Sequence, residues 1–314
     1  MKKMDLLNFM LLLVLSLSRL GGAVENGGQP GAFLFLTQNA RSSSLGYSGI
    51  VNQNGMWAYQ FNPALAGLVN YPSLSLQYAN LSLDRELYAL AISVPGLKQM
   101  VNVQLGWNGL KVGQIQGRDE MGNPTENFSI LHTVANLTIA INSNNDMWEG
   151  FRYITPGFNL KWIYSDLYAI RGYGLTGDAG IFIGLPRDEE QAPYRFQIGI
   201  TVSDFFGQLN WTHGYTESFS RRLRGGILYS PFTWLNVVAE ATYWENEYMN
   251  YSFGIEAALR NILYLRGGWN SDFGITFGAG FALDTFARFR LNYSQLQNDL
   301  NQQIPRLWDI SLGW

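Results

Sequence analysis

From Pro72 to the C-terminus, apolar side chains recur at every second position, and this alternation constrains the fold more than any other feature. Between Val101 and Asn108, for example, apolar residues hold the odd positions, whereas Asn, Gln and Gly hold the even ones. A period of two places one face of a β-strand in an apolar medium and the other in a polar medium. The pattern predicts fourteen strands, centred on residues 74–78, 88–94, 101–107, 131–141, 158–162, 175–183, 196–202, 223–229, 235–243, 251–259, 263–269, 275–283, 289–293 and 308–314.

Composition indicates which medium the apolar face meets. Charged residues make up 14% of the chain and aromatic residues 15%, and so few charges do not cover an ordinary soluble surface. The segments are close to the roughly 9–11 residues that a tilted strand needs to cross hydrocarbon. We therefore predict an all-β fold, a 14-stranded antiparallel transmembrane β-barrel. A soluble β-sandwich is the alternative, but it would carry polar side chains on the outward face, where this sequence has Phe, Leu, Trp, Val and Ile.

The connections between the strands are of two kinds. Residues 230–233 and 270–272 read as short turns, whereas residues 117–127, 186–194 and 207–219 read as longer polar connections. Outer-membrane barrels have short turns at one end and longer loops at the other. We expect the same segregation here.

The N-terminus has the pattern of a secretory signal peptide. Lys2 and Lys3 precede an apolar core of about 12 residues, and small residues follow up to Ala23. A single membrane anchor is the alternative, but it needs an apolar run of roughly 20 residues. We predict a signal peptide at residues 1–23, cleaved near Ala23.

The polar face of the strands should point into the barrel, because a charge facing lipid at mid-membrane costs about 2–4 kcal/mol. We favour the interpretation that these charges form a salt-bridged filling that stiffens the barrel. The alternative is a basic interior that attracts a carboxylate-bearing ligand. Charged residues at the positions that alternate with the apolar ones are therefore predicted to face the lumen. There are ten of them, seven of them basic: Lys161, Asp178, Arg195, Arg222, Arg224, Glu240, Glu256, Arg266, Arg288 and Arg290.

No enzyme motif fits its context. The G-x-G-x-x-G match at residues 172–177 precedes a strand, whereas a dinucleotide site requires a helix at that point. The chain has no cysteine, and His132 and His213 are far apart in sequence. A lone histidine on a polar face is more often a hydrogen-bonded structural residue than a ligand or base. We predict no catalytic residue, no cofactor and no metal site.

Residues 31–70 lack the alternation, and patches within and after this stretch resemble a known family in order and spacing. The patches are Gly31-Ala32-Phe33-Leu34, Ala40-Arg41, Leu45-Gly46, Asn62-Pro63-Ala64, Gly117 to Asn123, Gly157 to Lys161, Tyr164-Ser165 and Asp178-Ala179-Gly180. They resemble the PorV/PorQ family of outer-membrane proteins, which belongs to the FadL-like superfamily. The sequence departs from that family between Val51 and Gly55, where an acidic pair is common.

The resemblance implies a 14-stranded barrel whose N-terminal segment folds inside the lumen as a hatch. We expect this hatch at residues 24–70 and the barrel at residues 71–314, the two forming one domain. Proline would fix the turn in the hatch, and small residues would let its backbone approach the wall. The gate residues would be Phe61, Asn62, Pro63 and Ala64.

The predicted function also follows from the resemblance to the PorV/PorQ family and the FadL-like superfamily. FadL-like proteins pass hydrophobic molecules, so the resemblance implies a passive conduit or binding barrel for small hydrophobic or amphipathic molecules in the outer membrane of a diderm bacterium. The PorV/PorQ branch serves type IX protein secretion, so the alternative is a secretion component that binds partner proteins. The expected partners are outer-membrane lipid, a hydrophobic small-molecule ligand and, for the alternative, secretion-system or cargo proteins. Nucleic acid is not expected.

Overall fold

The alternating segments form one closed sheet. The computed structural model describes residues 31–36, 39–51, 56–97, 100–141, 153–185, 195–245, 249–285, 287–296 and 305–314. The predicted signal peptide lies outside these residues. The strands are β1 (Ser73–Leu81), β2 (Arg85–Leu97), β3 (Val101–Arg118), β4 (Pro124–Ile141), β5 (Ile154–Asp166), β6 (Arg171–Leu185), β7 (Phe196–Ser203), β8 (Gln208–Trp211), β9 (Thr216–Ser218), β10 (Arg222–Phe232), β11 (Leu235–Trp244), β12 (Met249–Leu259), β13 (Leu263–Asn270), β14 (Gly274–Asp284), β15 (Arg288–Leu296) and β16 (Arg306–Gly313).

Pairing of the first and last strands closes the sheet. β1 pairs antiparallel with β16, from Ser73 opposite Gly313 to Asn80 opposite Arg306. Strands β1–β7 and β10–β16 follow one another around the wall, so the predicted 14-stranded antiparallel barrel is confirmed. Closure removes the unpaired edges that an open sheet of this length would expose.

The alternation in sequence becomes two chemically different faces. In β1, Ser75 and Gln77 are buried, whereas Leu76 and Tyr78 are exposed on the outside. Every one of the fourteen barrel strands carries a large apolar or aromatic side chain on its exposed face. An outer surface of this kind matches hydrocarbon better than water.

Short helical elements precede the barrel. Two are 3₁₀ turns, at Ala32–Phe35 and Pro63–Leu68, and two are single α-helical turns, α1 (Ala40–Ser44) and α2 (Ala58–Phe61). No helix within the described ranges is long and apolar enough to cross a membrane.

Strands β3 and β4 extend well beyond their predicted lengths. Each is 18 residues long, so the predicted connection at 117–127 shrinks to residues 119–123. A register shift between Val112 and Ile115 marks a bulge, and the hairpin beyond it is largely exposed. The outer part of this hairpin lacks a continuous apolar face. Hydrogen bonding between the two backbones keeps it in the strand conformation. Period-two alternation is therefore absent from this part of the sequence.

The predicted segregation of short and long connections is wrong. The connection at 186–194, which lies outside the described residues, joins β6 to β7 at the end of the barrel where β1 begins, whereas the one at 207–219 joins β7 to β10 at the opposite end. The second connection also contains the hairpin of β8 and β9, which pairs with β6. These strands are four and three residues long, too short for alternation to identify them.

The outward face implies a measurable cost for a charge placed on it. Ile227 lies in the middle of β10 with 51% of its surface exposed. Ile227→Arg should lower the free energy of unfolding from a lipid bilayer by about 2–4 kcal/mol, because the guanidinium would face hydrocarbon. Met121→Arg, in the exposed β3–β4 turn, should change it by less than about 0.5 kcal/mol. Denaturant titrations in phospholipid vesicles measure both values, and equal effects would contradict a lipid-facing position for Ile227.

Candidate functional site

The N-terminal segment, here residues 31–36, 39–51 and 56–70, lies against the inward faces of the barrel strands. Its hydrogen bonds and close contacts reach strands on all sides of the wall, from β3 and β5 to β12 and β16. Ala40 and Ile50 have no exposed surface at all. The segment therefore fills much of the space that a sheet of this size encloses.

Three pairs of cross-strand glycines make room for this segment. Gly157 and Gly180 lie opposite each other on β5 and β6, and a Cβ on either would collide with the turn at residues 62–64. Only glycine lets two backbones approach this closely. The other two pairs are Gly199 with Gly226, against Ile50, and Gly254 with Gly268, against Leu45.

The predicted gate residues form the turn that rests on the first glycine pair. The side-chain oxygen of Asn62 accepts a hydrogen bond from the N–H of Ala64 at 3.1 Å, and its Nδ2 donates to the carbonyls of Ile50 and Ile181. Pro63 opens the second 3₁₀ turn, a position where its missing N–H costs nothing. Asn62 thus ties two parts of the segment to each other and to β6.

Amide side chains on β3 hold the end of the segment. Nδ2 of Asn102 donates to the carbonyls of Ala66 at 2.9 Å and Val69 at 2.8 Å. Nε2 of Gln104 donates to the carbonyl of Met56 at 2.9 Å. Buried backbone carbonyls outside regular structure need such partners, and the polar face of β3 supplies them.

A buried glutamate on β11 binds the middle of the segment. Oε2 of Glu240 accepts hydrogen bonds from the N–H groups of Gly49 at 2.9 Å and Ile50 at 3.2 Å. Its other carboxylate oxygen is paired with Arg224 on β10. The carboxylate is therefore shared between the wall and the segment.

A second carboxylate group holds the first helical turn. Glu256 on β12 lies between Arg41 of the segment and Arg266 of β13, with N–O distances of 2.6 Å to each. On β16, Asp309 accepts a hydrogen bond from the N–H of Ala40 at 2.9 Å. Removing one member of such a group leaves a buried charge without compensation, which is strongly destabilising.

A third group of charges, the ion cluster, consists of Lys161, Asp178, Asp204 and Arg222. Nζ of Lys161 lies 2.7 Å from Asp178 and 2.8 Å from Asp204, and Arg222 lies 2.8 Å from the other oxygen of Asp204. Each carboxylate oxygen of Asp204 thus has a cation as its partner, which compensates a charge that burial alone would make costly.

The ion cluster lies where the wall changes partners. The β6–β7 ladder covers Ala179 to Leu185 of β6, with Ala179 opposite Val202, whereas residues 172–174 of β6 pair with β8, with Gly174 opposite Leu209. Asp204 takes a left-handed conformation with φ of 56° at this departure, which is uncommon for a residue with a side chain. Its salt bridges stabilise the chain at the point where β7 leaves the sheet.

The formal charges of the described interior balance. The predicted lumen residues Lys161, Arg222, Arg224 and Arg266 are buried there, and Arg41 adds a fifth cation; the five anions are Asp178, Asp204, Glu240, Glu256 and Asp309. The interior is therefore neutral rather than basic, as in a salt-bridged filling. The alternation in β16 also places Asp309 inside. Asp204, in contrast, continues the series of apolar positions in β7, so the alternation predicts the outward face for it.

Three other predicted lumen residues lie at the rim. Arg195, just before β7, and Arg288, at the start of β15, are exposed at the end of the barrel where β1 begins. Arg290 pairs with Asp284 at 2.8 Å, and 54% of that aspartate side chain is exposed. The alternation predicts which face of the strand a residue is on, but it does not predict how close the residue lies to the end of the barrel.

A cavity of about 450 Å³ lies beside the N-terminal segment, towards the end of the barrel that carries β8 and β9. Its apolar walls come from both the segment and the strands. They comprise Ala32, Phe33, Phe35, Leu36, Tyr47, Leu110, Val112, Trp244 and Phe273. The polar lining residues are Arg85, Arg222, Arg224, Thr242, Asn250, Ser252, Asn270 and Asp272.

The histidines have structural surroundings. The ring of His132 stacks on Phe33 with centroids 4.3 Å apart, and its Nδ1 lies 2.9 Å from the hydroxyl of Ser165. His213 is exposed in the β8–β9 turn. Across the ranges that the structure describes, no three His, Asp or Glu side chains come close enough together to hold a metal ion.

Comparison with known proteins gives different results for sequence and for structure. No protein-family model matches the sequence. No curated protein matches it significantly.

Solved structures of hydrocarbon channels share the fold. The toluene transporter TbuX of Ralstonia pickettii superimposes with a TM-score of 0.61 and 12% identity, covering 88% of this chain and 98% of that one. The P. putida toluene transporter TodX gives a TM-score of 0.58 and 13% identity over 88% and 96% of the two chains. A Pseudomonas aeruginosa FadL homologue gives 0.57 and 11% over 88% and 98%. The chain therefore shares the barrel fold of these three proteins.

The contact between the turn and the paired glycines can be tested directly. Gly180→Leu should lower the free energy of unfolding by about 1–3 kcal/mol, because the new side chain would displace Asn62. Gly225 on β10 faces outward, and a Cβ at this position would have no other atom within 4 Å, so Gly225→Leu is the matched control and should have little effect. Denaturant titration in vesicles, with limited proteolysis of the N-terminal segment, measures the difference. Equal stability and equal cleavage would contradict the packing of the turn on β6.

Proposed function

We propose that this protein is a passive conduit, or binding barrel, for small hydrophobic or amphipathic molecules in the outer membrane of a diderm bacterium. The observation that carries the proposal is the cavity of about 450 Å³ inside the barrel, with its aromatic and aliphatic walls. Its size falls in the range of about 300–1,000 Å³ that is typical of small-molecule sites. An apolar outer surface on each of the fourteen barrel strands supports a place in a membrane.

The structural neighbours support the same class of substrate. TbuX and TodX are described as toluene transporters, which is a property of those proteins. This chain combines their fold with an apolar cavity of its own. Neighbours that are channels also agree with a role in transport rather than catalysis.

In this proposal residues 24–70 act as a hatch inside a barrel formed by residues 71–314. The support is the number of polar contacts that the N-terminal segment makes with the wall, and the glycine pairs that receive it. Phe61, Asn62, Pro63 and Ala64 would form the gate, and a signal peptide at residues 1–23 would direct export. The role in type IX secretion and the PorV/PorQ branch stay predictions from the sequence, because no contact in the described structure favours them.

Filling the cavity tests the conduit. Thr242 on β11 lines the cavity, and its neighbour Ala241 lies on the outward face. Thr242→Trp should weaken binding of the neutral fluorescent probe N-phenylnaphthylamine by about tenfold or more, since the indole would occupy the site. Ala241→Trp should leave binding unchanged. Fluorescence titration in nanodiscs measures both, and equal binding by the two variants would contradict a ligand site in this cavity.

Deletion of residues 31–69 tests the hatch. The wall keeps its complete ladder of strands without this segment, so the variant should still insert into vesicles, and its single-channel conductance should rise above that of the intact protein. Deletion of residues 119–123 in the exposed hairpin is the control and should not change conductance. A variant that no longer folds would show that the segment is part of the core rather than a gate.

A further inference from the structure

Three arginines line the cavity, and a phenylalanine of the N-terminal segment covers two of them, Arg222 and Arg224. The third, Arg85, donates hydrogen bonds to the carbonyl and hydroxyl of Ser82. The guanidinium carbon of Arg222 lies 4.2 Å from the ring centroid of Phe35. The guanidinium carbon of Arg224 lies 5.4 Å from the ring centroid of Phe61. Both distances are within the roughly 6 Å at which a cation is attracted to the face of an aromatic ring.

Each of the two covered arginines also has a buried acid as its partner. Arg222 pairs with Asp204 at 2.8 Å, and Arg224 pairs with Glu240. The positive charge is therefore compensated by a carboxylate of the protein and screened by a ring. Beside Arg222 or Arg224, a carboxylate ligand would bring an additional negative charge next to a cation that already has an acid as its partner, and it would lose its hydration there. A neutral molecule avoids this loss.

Phe33 and Phe35 lie on the same 3₁₀ turn and both line the cavity. They differ in what each ring covers. Phe35 covers the guanidinium of Arg222, whereas Phe33 stacks on His132. The two residues are of equal size, so they form a matched pair that separates loss of apolar lining from exposure of a cation.

We propose that Phe35 is a specificity-determining residue, which selects neutral molecules against carboxylates by covering Arg222. The ligand class is then an uncharged, largely apolar molecule such as a hydrocarbon or a fatty alcohol. The inference rests on the proposed function, because it requires that the cavity binds a ligand. It also assigns the N-terminal segment a second role, since the segment supplies the apolar surface that the strands lack at this place.

The experiment compares decanol with decanoate as competitors of N-phenylnaphthylamine on the full-length protein in nanodiscs of zwitterionic lipid. For the unchanged protein, decanol should displace the probe at a concentration at least about tenfold lower than decanoate does. In Phe35→Ala this preference should fall by about tenfold, because Nε of Arg222, which has no hydrogen-bond partner within the described structure, becomes accessible to a carboxylate. In Phe33→Ala both competitors should weaken together, so that the ratio stays the same.

The outcomes separate this inference from the proposed function. If the probe does not bind the unchanged protein, both are overturned. If the probe binds and decanoate competes as well as decanol, the conduit stands and selection against carboxylates is overturned. If Phe35→Ala and Phe33→Ala give the same ratio, Phe35 is only part of the apolar lining. Phe35→Leu, which keeps the apolar cover without an aromatic face, should retain most of the preference if coverage of Arg222 is the cause.

Discussion

A closed sheet of fourteen strands encloses more space than its own side chains fill, and the rest of this structure depends on that constraint. The polar face of the sheet points inward, so the interior presents hydroxyl, amide and charged groups rather than an apolar core. The N-terminal segment satisfies these groups with its own backbone. Its irregular conformation suits this task, because backbone groups outside helices and strands remain available for hydrogen bonds with the wall.

Charge compensation decides where the segment can lie. Glu240 and Glu256 each bind one arginine of the wall and one part of the segment. Each carboxylate keeps its wall arginine without the segment, and the partners from the segment then fix where the segment binds, because buried charges favour full pairing. The glycine pairs complete this arrangement by allowing the backbone of the segment to touch the backbone of the strands. The charge pairs thus set the position of the N-terminal segment along the barrel, and the glycine pairs let it approach the wall closely because they have no side chains.

The cavity is the part of the lumen that the segment does not fill. Its character depends on the rings that the segment presents to it, Phe33 and Phe35, of which Phe35 lies over Arg222. At Arg222, a charge that anchors the interior is therefore covered by an apolar ring. This arrangement explains how a barrel with many charged residues in its lumen can hold a site for hydrophobic molecules.

The predictions from sequence succeeded where the two-residue alternation of apolar and polar side chains identifies a strand and its faces. Alternation in a segment such as Ser75 to Tyr78 identifies a strand and its two faces, because the geometry of a strand is local. Alternation failed for the outer part of the β3–β4 hairpin and for β8 and β9, where backbone pairing acts without an apolar face.

The sequence by itself therefore determined the class of fold, the number of barrel strands and the face on which Glu256 or Lys161 lies. Only the tertiary structure decided which charges meet. Asp204 continues the series of apolar positions in β7 and would be expected to face outward. It nevertheless pairs with Lys161 and Arg222, because the chain leaves the wall at that residue. The pairing of Arg41 with Glu256 joins residues 215 positions apart. Contacts of this kind depend on closure of the barrel, and no local pattern records it.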